Sequence, residues 1–367
     1  MSEEKPLLRF VVYASKAMHW EAFDRYRSGP YRLDAELIFQ GKGCWAFLPG
    51  DKEGMEKSPR SKNGYPFICL GHDKLPPPTD KTLIIAQFKH PKGTCLSPWV
   101  EDTDDGKLAE KLKAYPRSIV FSAASATPLT DERSIWQDPS GFVSINVGSL
   151  DAPRPPAGRE RMEDVLKIAA DSHHLLIVFV YERGIRIERR DMVTDELLGE
   201  TWVVDFKDPG RFSYERRAKE IGAPAFAKDA KVSVRQDARG IIVSFPSVPG
   251  GKGAARAFDY EVTAHYFVDG LDKIALQKRV YSPAVCQAPA HEPPTVECIF
   301  QKDELVWDAD IVFDVRPVSC FGVKGGAISG GFTIESPVAK AKRLREEKRH
   351  AATAAKAAKR TEKKGGR

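Results

Sequence analysis

The chain has 367 residues, of which 42% are hydrophobic and 29% are charged, which is enough apolar material for about two globular domains. No apolar run reaches the roughly 20 residues of a membrane-spanning helix, and the acidic first residues do not resemble a secretory signal. We therefore expect an intracellular protein. Its six cysteines, none in a C-x-x-C pair, are predicted to stay reduced, and no metal or other cofactor is predicted.

The charge is unevenly distributed along the chain. Residues 338–367 contain 12 Lys or Arg and 3 Glu, a net charge of +9, whereas the whole chain carries +6, so the remaining residues carry −3. Terminal blocks of like charge are typical of interaction arms, often for nucleic acid. The alternative interpretation is a solvated end that only improves solubility.

The first 222 residues alternate between predicted strands and helices. Apolar runs rich in β-branched residues predict strands over 7–14, 36–39, 44–48, 65–70, 82–88, 118–122, 142–147, 175–180, 185–190 and 201–206. Helices are predicted over 19–28, 104–114 and 214–221, and a polar loop over 49–64. Gly184 predicts a hairpin, and His173 and His174 are interpreted as the start of a strand rather than as metal ligands. This order is typical of a layered domain of helices and sheets.

From residue 223 to residue 337 the pattern changes to short alternating segments. Seven strands are predicted over 231–235, 241–245, 258–267, 274–281, 296–300, 310–316 and 330–334. Seven short strands in about 105 residues are typical of a β-sandwich of immunoglobulin or fibronectin type. The glycine-rich stretch 247–255 lacks the strand and helix that flank a phosphate-binding loop, so it is predicted to be a hairpin loop.

Residues 338–361 are rich in strong helix formers. Leu344 is the one large apolar residue after Val338, so we expect a solvent-exposed, partly formed helix with no apolar stripe. The tail has no aromatic residue, which excludes base stacking as its binding mode. The candidate residues for contact with nucleic acid or an acidic partner are Lys340, Lys342, Arg343, Arg345, Lys348, Arg349, Lys356, Lys359, Arg360, Lys363, Lys364 and Arg367.

The stretch from Leu112 to Gln137, LKAYPRSIVFSAASATPLTDERSIWQ, resembles part of the calcineurin-like metallophosphoesterases, in a bacterial-type subgroup with a C-terminal β-sandwich. Weaker similarity covers roughly residues 10–335. It includes Phe23, Tyr26, Gly29, Pro30, Gln87, the run His90–Thr94, the run Tyr214–Ala218, Ala223 and Pro224. The resemblance implies an α+β protein: a truncated calcineurin-like αββα sandwich over 1–222, an immunoglobulin- or fibronectin-like β-sandwich over 223–337, and a basic helical tail over 338–367.

The family's chemistry uses two metal ions held by Asp, Asn and His at the carboxyl ends of strands. The resemblance places Ala123, Ala124 and Ala126 where its G-H-x-H motif would stand, and Phe88 where a His would end the preceding strand. A methyl group cannot coordinate a metal, so we expect no catalytic and no metal-binding residue at these positions. A rebuilt site would need several of His19, His72, His90, Asp73 and Asp102 to converge. Lys16 is a further candidate, whose ammonium could stand near an emptied metal position and hold acidic groups.

Three functions remain open. The first is a non-catalytic metallophosphoesterase-like scaffold in a larger assembly, a ribonucleoprotein or an acidic protein assembly, bound through the basic tail. The second is an active metal-dependent phosphoesterase with rearranged ligands. The third is a protein- or carbohydrate-binding module that uses the β-sandwich, with Trp307 and the residues around Tyr266 as possible contacts or, alternatively, as core residues.

Overall fold

The computed structural model describes residues 4–16, 26, 29–48, 64–70, 74–99, 102–251, 253–268 and 271–364, and in the last helix it describes side chains as far as residue 354, apart from 337 and 340. These residues form a mixed architecture with several sheets and few helices, which confirms the α+β class. The predicted helix over 19–28 and the predicted loop over 49–64 lie almost entirely outside the described residues.

The part of the chain up to residue 222 contains eleven described strands. They are β1 (Leu8–Ala14), β2 (Ala35–Gln40), β3 (Gly43–Phe47), β4 (Phe67–Cys69), β5 (Leu83–Gln87), β6 (Ser118–Ser122), β7 (Ile135–Gln137), β8 (Val143–Asn146), β9 (His174–Tyr181), β10 (Gly184–Asp191) and β11 (Trp202–Asp205). The described helices are α1 (Lys107–Leu112), α2 (Met162–Ala169) and α3 (Tyr214–Ile221). All ten predicted strands are confirmed, including the β9–β10 hairpin, whereas β7 and α2 were not predicted.

These strands form two stacked sheets. One has the order β11-β10-β9-β1-β2-β3 and the other the order β4-β5-β6-β8-β7. Side chains from both sheets share one core, in which the ring of Phe10 lies edge-on to Phe67 and Phe121 with centroids 5.3 and 5.8 Å apart. Because β4, β5, β6 and β8 are parallel, their carboxyl ends lie along one edge of the second sheet. The loops at that edge are therefore the place to look for a functional site.

The part from residue 223 onward contains seven strands among the described residues. They are β12 (Ser233–Asp237), β13 (Gly240–Pro246), β14 (Asp259–Val268), β15 (Leu271–Tyr281), β16 (Thr295–Phe300), β17 (Asp310–Val318) and β18 (Ile328–Thr333). They form two antiparallel sheets, β12-β13-β16 and β15-β14-β17-β18, whose inward side chains share one core. The prediction that 247–255 is a hairpin loop is wrong, because this stretch leads from β13 in one sheet to β14 in the other.

The chain ends in a long helix, α4 (Pro337–Lys364). With 28 residues and a rise of 1.5 Å per residue, it is about 42 Å long. Every side chain described between residues 341 and 354 is exposed. The predicted helix is confirmed and is continuous rather than partly formed, and its exposure to solvent is confirmed over residues 341–354.

Candidate functional site

The structure brings together the positions that would carry metal ligands in the resembled family. Phe88 follows β5 and Ala123 follows β6, and the backbone amide of Ala123 donates to the carbonyl of Phe88 at 3.1 Å. Ala124 and Ala126 lie half-buried in the loop that follows, and the amide of Arg154 donates to the carbonyl of Ala126 at 2.8 Å. The carboxyl edge of the sheet therefore presents methyl groups, a phenyl ring and backbone atoms at these positions.

A buried polar layer lies beside these positions, under the loop that follows β5. The imidazole Nδ1 of His90 lies 2.6 Å from the hydroxyl of Ser122, and Thr94 donates to the hydroxyl of Ser144 at 3.0 Å. Ser122 is on β6 and Ser144 is on the neighbouring strand β8. In the register of these two strands, Ser122 pairs with Asn146 and Ser144 pairs with Val120. Burial lowers the pKa of His90 to about 4, although Asp102 opposes part of that shift, so the ring is neutral near pH 7.

Of the five residues proposed for a rebuilt metal site, the structure describes His90 and Asp102. Among the described residues, no group of three or more His, Cys, Asp or Glu side chains is placed to hold a metal ion. The carboxylate of Asp102 lies 3.2 Å from the ammonium of Lys89, and its backbone carbonyl accepts from the amide of His90. His19, His72 and Asp73 lie outside the described residues. For Lys16, the structure shows a contact of the backbone amide, rather than the ammonium, with the carboxylate of Asp151.

The segment that carries the most specific part of the resemblance forms a buried network of charges. Asp131 caps the short 3-10 turn Glu132–Ser134, and its carboxylate accepts three hydrogen bonds from the guanidinium of Arg133, at 3.0, 3.2 and 2.6 Å. That guanidinium also lies between the rings of Trp99 and Phe258, 4.6 and 4.9 Å from their centroids. Arg133 is 6% exposed, so this arrangement contributes to packing rather than to a surface site.

Glu132 is the acceptor at the centre of the same network. Its carboxylate lies 2.6 Å from Nη2 of the fully buried Arg189, accepts from the indole of Trp202 at 2.9 Å, and pairs with Arg217 of α3. Burial alone would raise the pKa of the Glu132 carboxyl, but the charges of Arg189 and Arg217 outweigh burial and hold that pKa below its ordinary value.

Two further residues connect this part of the chain to the part beyond residue 223. The Nδ1 atom of the buried His174 accepts from the amide of Leu129 at 3.0 Å, so its Nε2–H donates to the carbonyl of Cys286 at 2.8 Å. The hydroxyl of Thr130 donates to the carbonyl of Val285 at 2.6 Å. Burial lowers the pKa of His174 to about 4. The prediction that a strand starts at His173 and His174 is confirmed for His174, where β9 begins.

The candidate residues of the tail divide into two groups. The side chain of Arg343 pairs with Glu335 at 2.7 Å and with Glu347 at 2.6 Å, so its charge is already engaged. Lys342, Arg345, Lys348 and Arg349 are exposed, and no carboxylate of the described residues pairs with any of them. Six basic residues follow one another along α4 at intervals of three, four, seven, four and three residues, so their positions fall on one side of the helix. They are Lys342, Arg345, Arg349, Lys356, Arg360 and Lys363. This row, here called the basic row, extends about 32 Å along α4.

For the other candidate residues of the tail, the side chains lie outside the part of the chain that the structure describes. The side chains of Lys340, Lys359 and Lys364, like those of the last three members of the basic row, lie outside the described set, and so does Arg367 as a whole. Sequence reasoning treated all twelve cations alike, and the separation of Arg343 from the others requires the three-dimensional positions of Glu335 and Glu347.

The two aromatic residues proposed as contacts of the second part pack against its core. Trp307 and Tyr266 are both partly buried against the core that the two sheets share. Four exposed apolar residues lie instead at the tip of the β14–β15 hairpin, where Phe267, Val268, Leu271 and Ile274 are 59%, 45%, 60% and 64% exposed. Leu271 and Ile274 did not stand out in the sequence, because the alternation of the strands does not show that the pairing of β14 with β17 ends at Tyr266 while its pairing with β15 continues to Val268.

No protein-family model and no curated protein matches this chain. Among solved structures, a similar one is that of a conserved uncharacterized protein, a predicted phosphoesterase, from Streptococcus pneumoniae TIGR4. It is 14% identical, the similarity covers 53% of this chain and 97% of that chain, and the TM-score is 0.28, which is too low to assign a fold or a function. Among the described residues, no helix has the length and apolar character needed to cross a membrane.

Proposed function

We propose that this protein is a non-catalytic scaffold that binds a ribonucleoprotein through the basic row of α4. The observation that carries the proposal is a solvent-exposed helix whose cations Lys342, Arg345, Lys348 and Arg349 have no carboxylate partner in the described part of the chain. Unpaired cations at regular spacing neutralise phosphates and release counterions, so binding is favourable and depends on salt.

We propose further that residues 1–222 form a metallophosphoesterase-like body that does not hold a dinuclear centre. This assignment is supported by the stacked sheets and by the methyl groups of Ala123, Ala124 and Ala126 at the carboxyl edge of the parallel strands. For residues 223–337 we propose a fibronectin-like sandwich, supported by the sheets β12-β13-β16 and β15-β14-β17-β18 around one core.

The test of the scaffold role is gradient sedimentation of the tagged full chain from its native cells, with and without nuclease. Rapid sedimentation that nuclease abolishes supports the proposal, whereas sedimentation near 40.8 kDa in both samples contradicts it. Metal analysis and a phosphoesterase assay on the same preparation address the catalytic alternative. Metal-dependent cleavage of phosphoesters would overturn the non-catalytic assignment.

The role of the basic row is tested by two single substitutions of the same chemistry. Arg345→Gln is expected to reduce the slope of log affinity against log salt concentration by about one for a labelled RNA duplex, because one phosphate contact is lost. Arg343→Gln is the matched control, since its guanidinium already pairs with Glu335 and Glu347 and its loss is expected to change the slope much less. Equal slopes for the wild type and Arg345→Gln would contradict a role for the row.

A second candidate function is favoured by the hairpin tip. Its four exposed apolar residues come from both faces of a two-stranded projection, and such exposed clusters mark protein contacts more often than isolated surface residues do. The candidate is a protein-binding role of the second part. It predicts that Leu271→Ser with Ile274→Ser reduces co-sedimentation at all salt concentrations, whereas the affinity lost in Arg345→Gln is largest at low salt and becomes small at high salt. An unchanged gradient profile for the double variant would remove this candidate.

A further inference from the structure

Two cysteines meet where the edges of the two stacked sheets lie together. Cys44 is on β3, the last strand of the first sheet, and Cys69 is on β4, the first strand of the second sheet. Their Sγ atoms are 3.2 Å apart, although the residues are 25 positions apart in sequence. Cys69 is 6% exposed, and Cys44 is half-buried against the core that both sheets share.

The other four cysteines have different surroundings. The thiol of Cys95 donates to the carbonyl of Arg133 at 3.4 Å, and that of Cys286 lies 3.9 Å from the carbonyl of Pro153. Cys298 is fully buried and Cys320 is half-buried. All six are free thiols, and in the part of the chain that the structure describes, the Cys44–Cys69 contact is the one between two thiols.

We propose that Cys44 and Cys69 form a redox-modification site, which closes into an intramolecular disulfide when a peroxide oxidises it. The thiolate of Cys44, the more accessible of the two, attacks one oxygen of hydrogen peroxide, which leaves a sulfenic acid and, after protonation, one water. The sulfur of Cys69 then attacks the sulfenic sulfur and displaces a second water. The two thiols together lose two electrons and two protons, and the peroxide gains them.

The geometry requires little movement of the chain. A disulfide has a sulfur–sulfur distance of about 2.05 Å, so the two sulfurs need to approach by roughly 1 Å. Such a bond would join β3 to β4 and therefore fasten one sheet to the other at their edges. It would also close the chain between the two cysteines into a covalent loop, which restricts the unfolded state and raises stability.

The environment of Cys44 determines how fast the reaction proceeds. Burial, with a smaller contribution from Cys69, raises the pKa of the Cys44 thiol well above its ordinary value. Because the thiolate is the reactive species, the pair is expected to oxidise slowly near pH 7 and faster as the pH rises towards about pH 9. The site is thus suited to sustained rather than brief exposure to peroxide.

The experiment uses the full chain, reduced, treated with hydrogen peroxide, blocked with iodoacetamide and analysed by intact-mass and peptide mass spectrometry. The expected result is the loss of two hydrogen masses, a peptide linking Cys44 to Cys69, and a melting temperature several degrees above that of the reduced protein. Cys320→Ser, which removes a half-buried cysteine outside the pair, is the matched control and should behave as the wild type.

Cys69→Ser should abolish the linked peptide and leave Cys44 to proceed to sulfinic acid, because no resolving thiol is present. The proposal is overturned if peroxide-treated wild type carries Cys69 as an alkylated free thiol while Cys44 is sulfinic. It is also overturned if both residues are alkylated to the same extent with and without peroxide. These two results come from the wild-type chain, so they stand even if the serine variant does not fold.

Discussion

Replacing Glu132 with alanine is expected to lower the free energy of unfolding by about 3–5 kcal/mol, because it leaves the guanidiniums of Arg189 and Arg217 without their shared carboxylate. Arg189 is fully buried and cannot recover the loss by hydration. The indole of Trp202 loses its acceptor as well. Glu132→Gln should cost less, since an amide oxygen still accepts hydrogen bonds while the charge is absent.

The measurement is urea denaturation of the two variants and the wild type at about pH 7. Glu220→Ala is the matched control, because it also removes a glutamate that pairs with an arginine of α3, Arg216, but at an exposed i,i+4 position. That pair should contribute no more than about 0.5 kcal/mol. If Glu132→Ala and Glu220→Ala shift the urea midpoint equally, the buried network does not have the role assigned to it.

The pH dependence of Glu132 has a defined sign. The folded-state pKa of its carboxyl is below the ordinary value of 4.5, so the stability it provides is complete above pH 4.5 and is lost as the pH falls below that value. Glu132→Gln should therefore show a flatter decline in stability over this acidic range than the wild type does.

Acidification from pH 6.5 to about pH 4 is expected to lower stability by about 3 kcal/mol for each of His90 and His174. Both rings are buried, and burial lowers their pKa from 6.5 to about 4, so the unfolded chain binds protons in this range before the folded chain does. The contribution of each histidine is present above pH 6.5 and is lost as the pH falls through the folded-state pKa.

This expectation is checked by urea denaturation at a series of pH values. His174→Gln is less stable at pH 7, because no single amide reproduces the bonds to both Leu129 and Cys286, but its stability should fall less steeply with acidification. His291→Gln, which replaces an exposed histidine in the same way, is the matched control for the substitution itself. A wild-type stability that is constant between pH 6.5 and pH 4 would refute the assignment of neutral buried rings.

The strands could be predicted because their residues carry a strong local pattern. Runs such as β9 and β14 are apolar or alternating over eight and ten residues, which is enough to define a strand without knowledge of its partners. By contrast, β7 has three residues and α2 has eight, too few for periodicity to be decisive. The order of the strands within the sheets depends on long-range pairing, such as that of β1 with β9, which no local pattern encodes.

The candidate site was predictable in part for similar reasons. The basic helix follows from composition, and the proximity of Phe88 and Ala123 follows from parallel neighbouring strands. The burial of Asp131 and Arg133 on either side of the half-buried Glu132 did not follow, because three charged residues in succession are ordinarily typical of a surface turn. The contact of Cys44 with Cys69 arises where two different sheets meet, and spacing in sequence carries no signal of it.

The hydrogen bonds from Thr130 to Val285 and from His174 to Cys286 have a consequence for how the molecule melts. In both bonds a side chain of the first part of the chain donates to a backbone carbonyl in the stretch that follows β15. If the two halves separated, these groups would lose their hydrogen-bond partners and the surfaces around them would be exposed to water. The two halves therefore stabilise each other, and heating should produce one cooperative calorimetric transition for both. A chain that stops at residue 222 should be less stable than the same residues within the full chain.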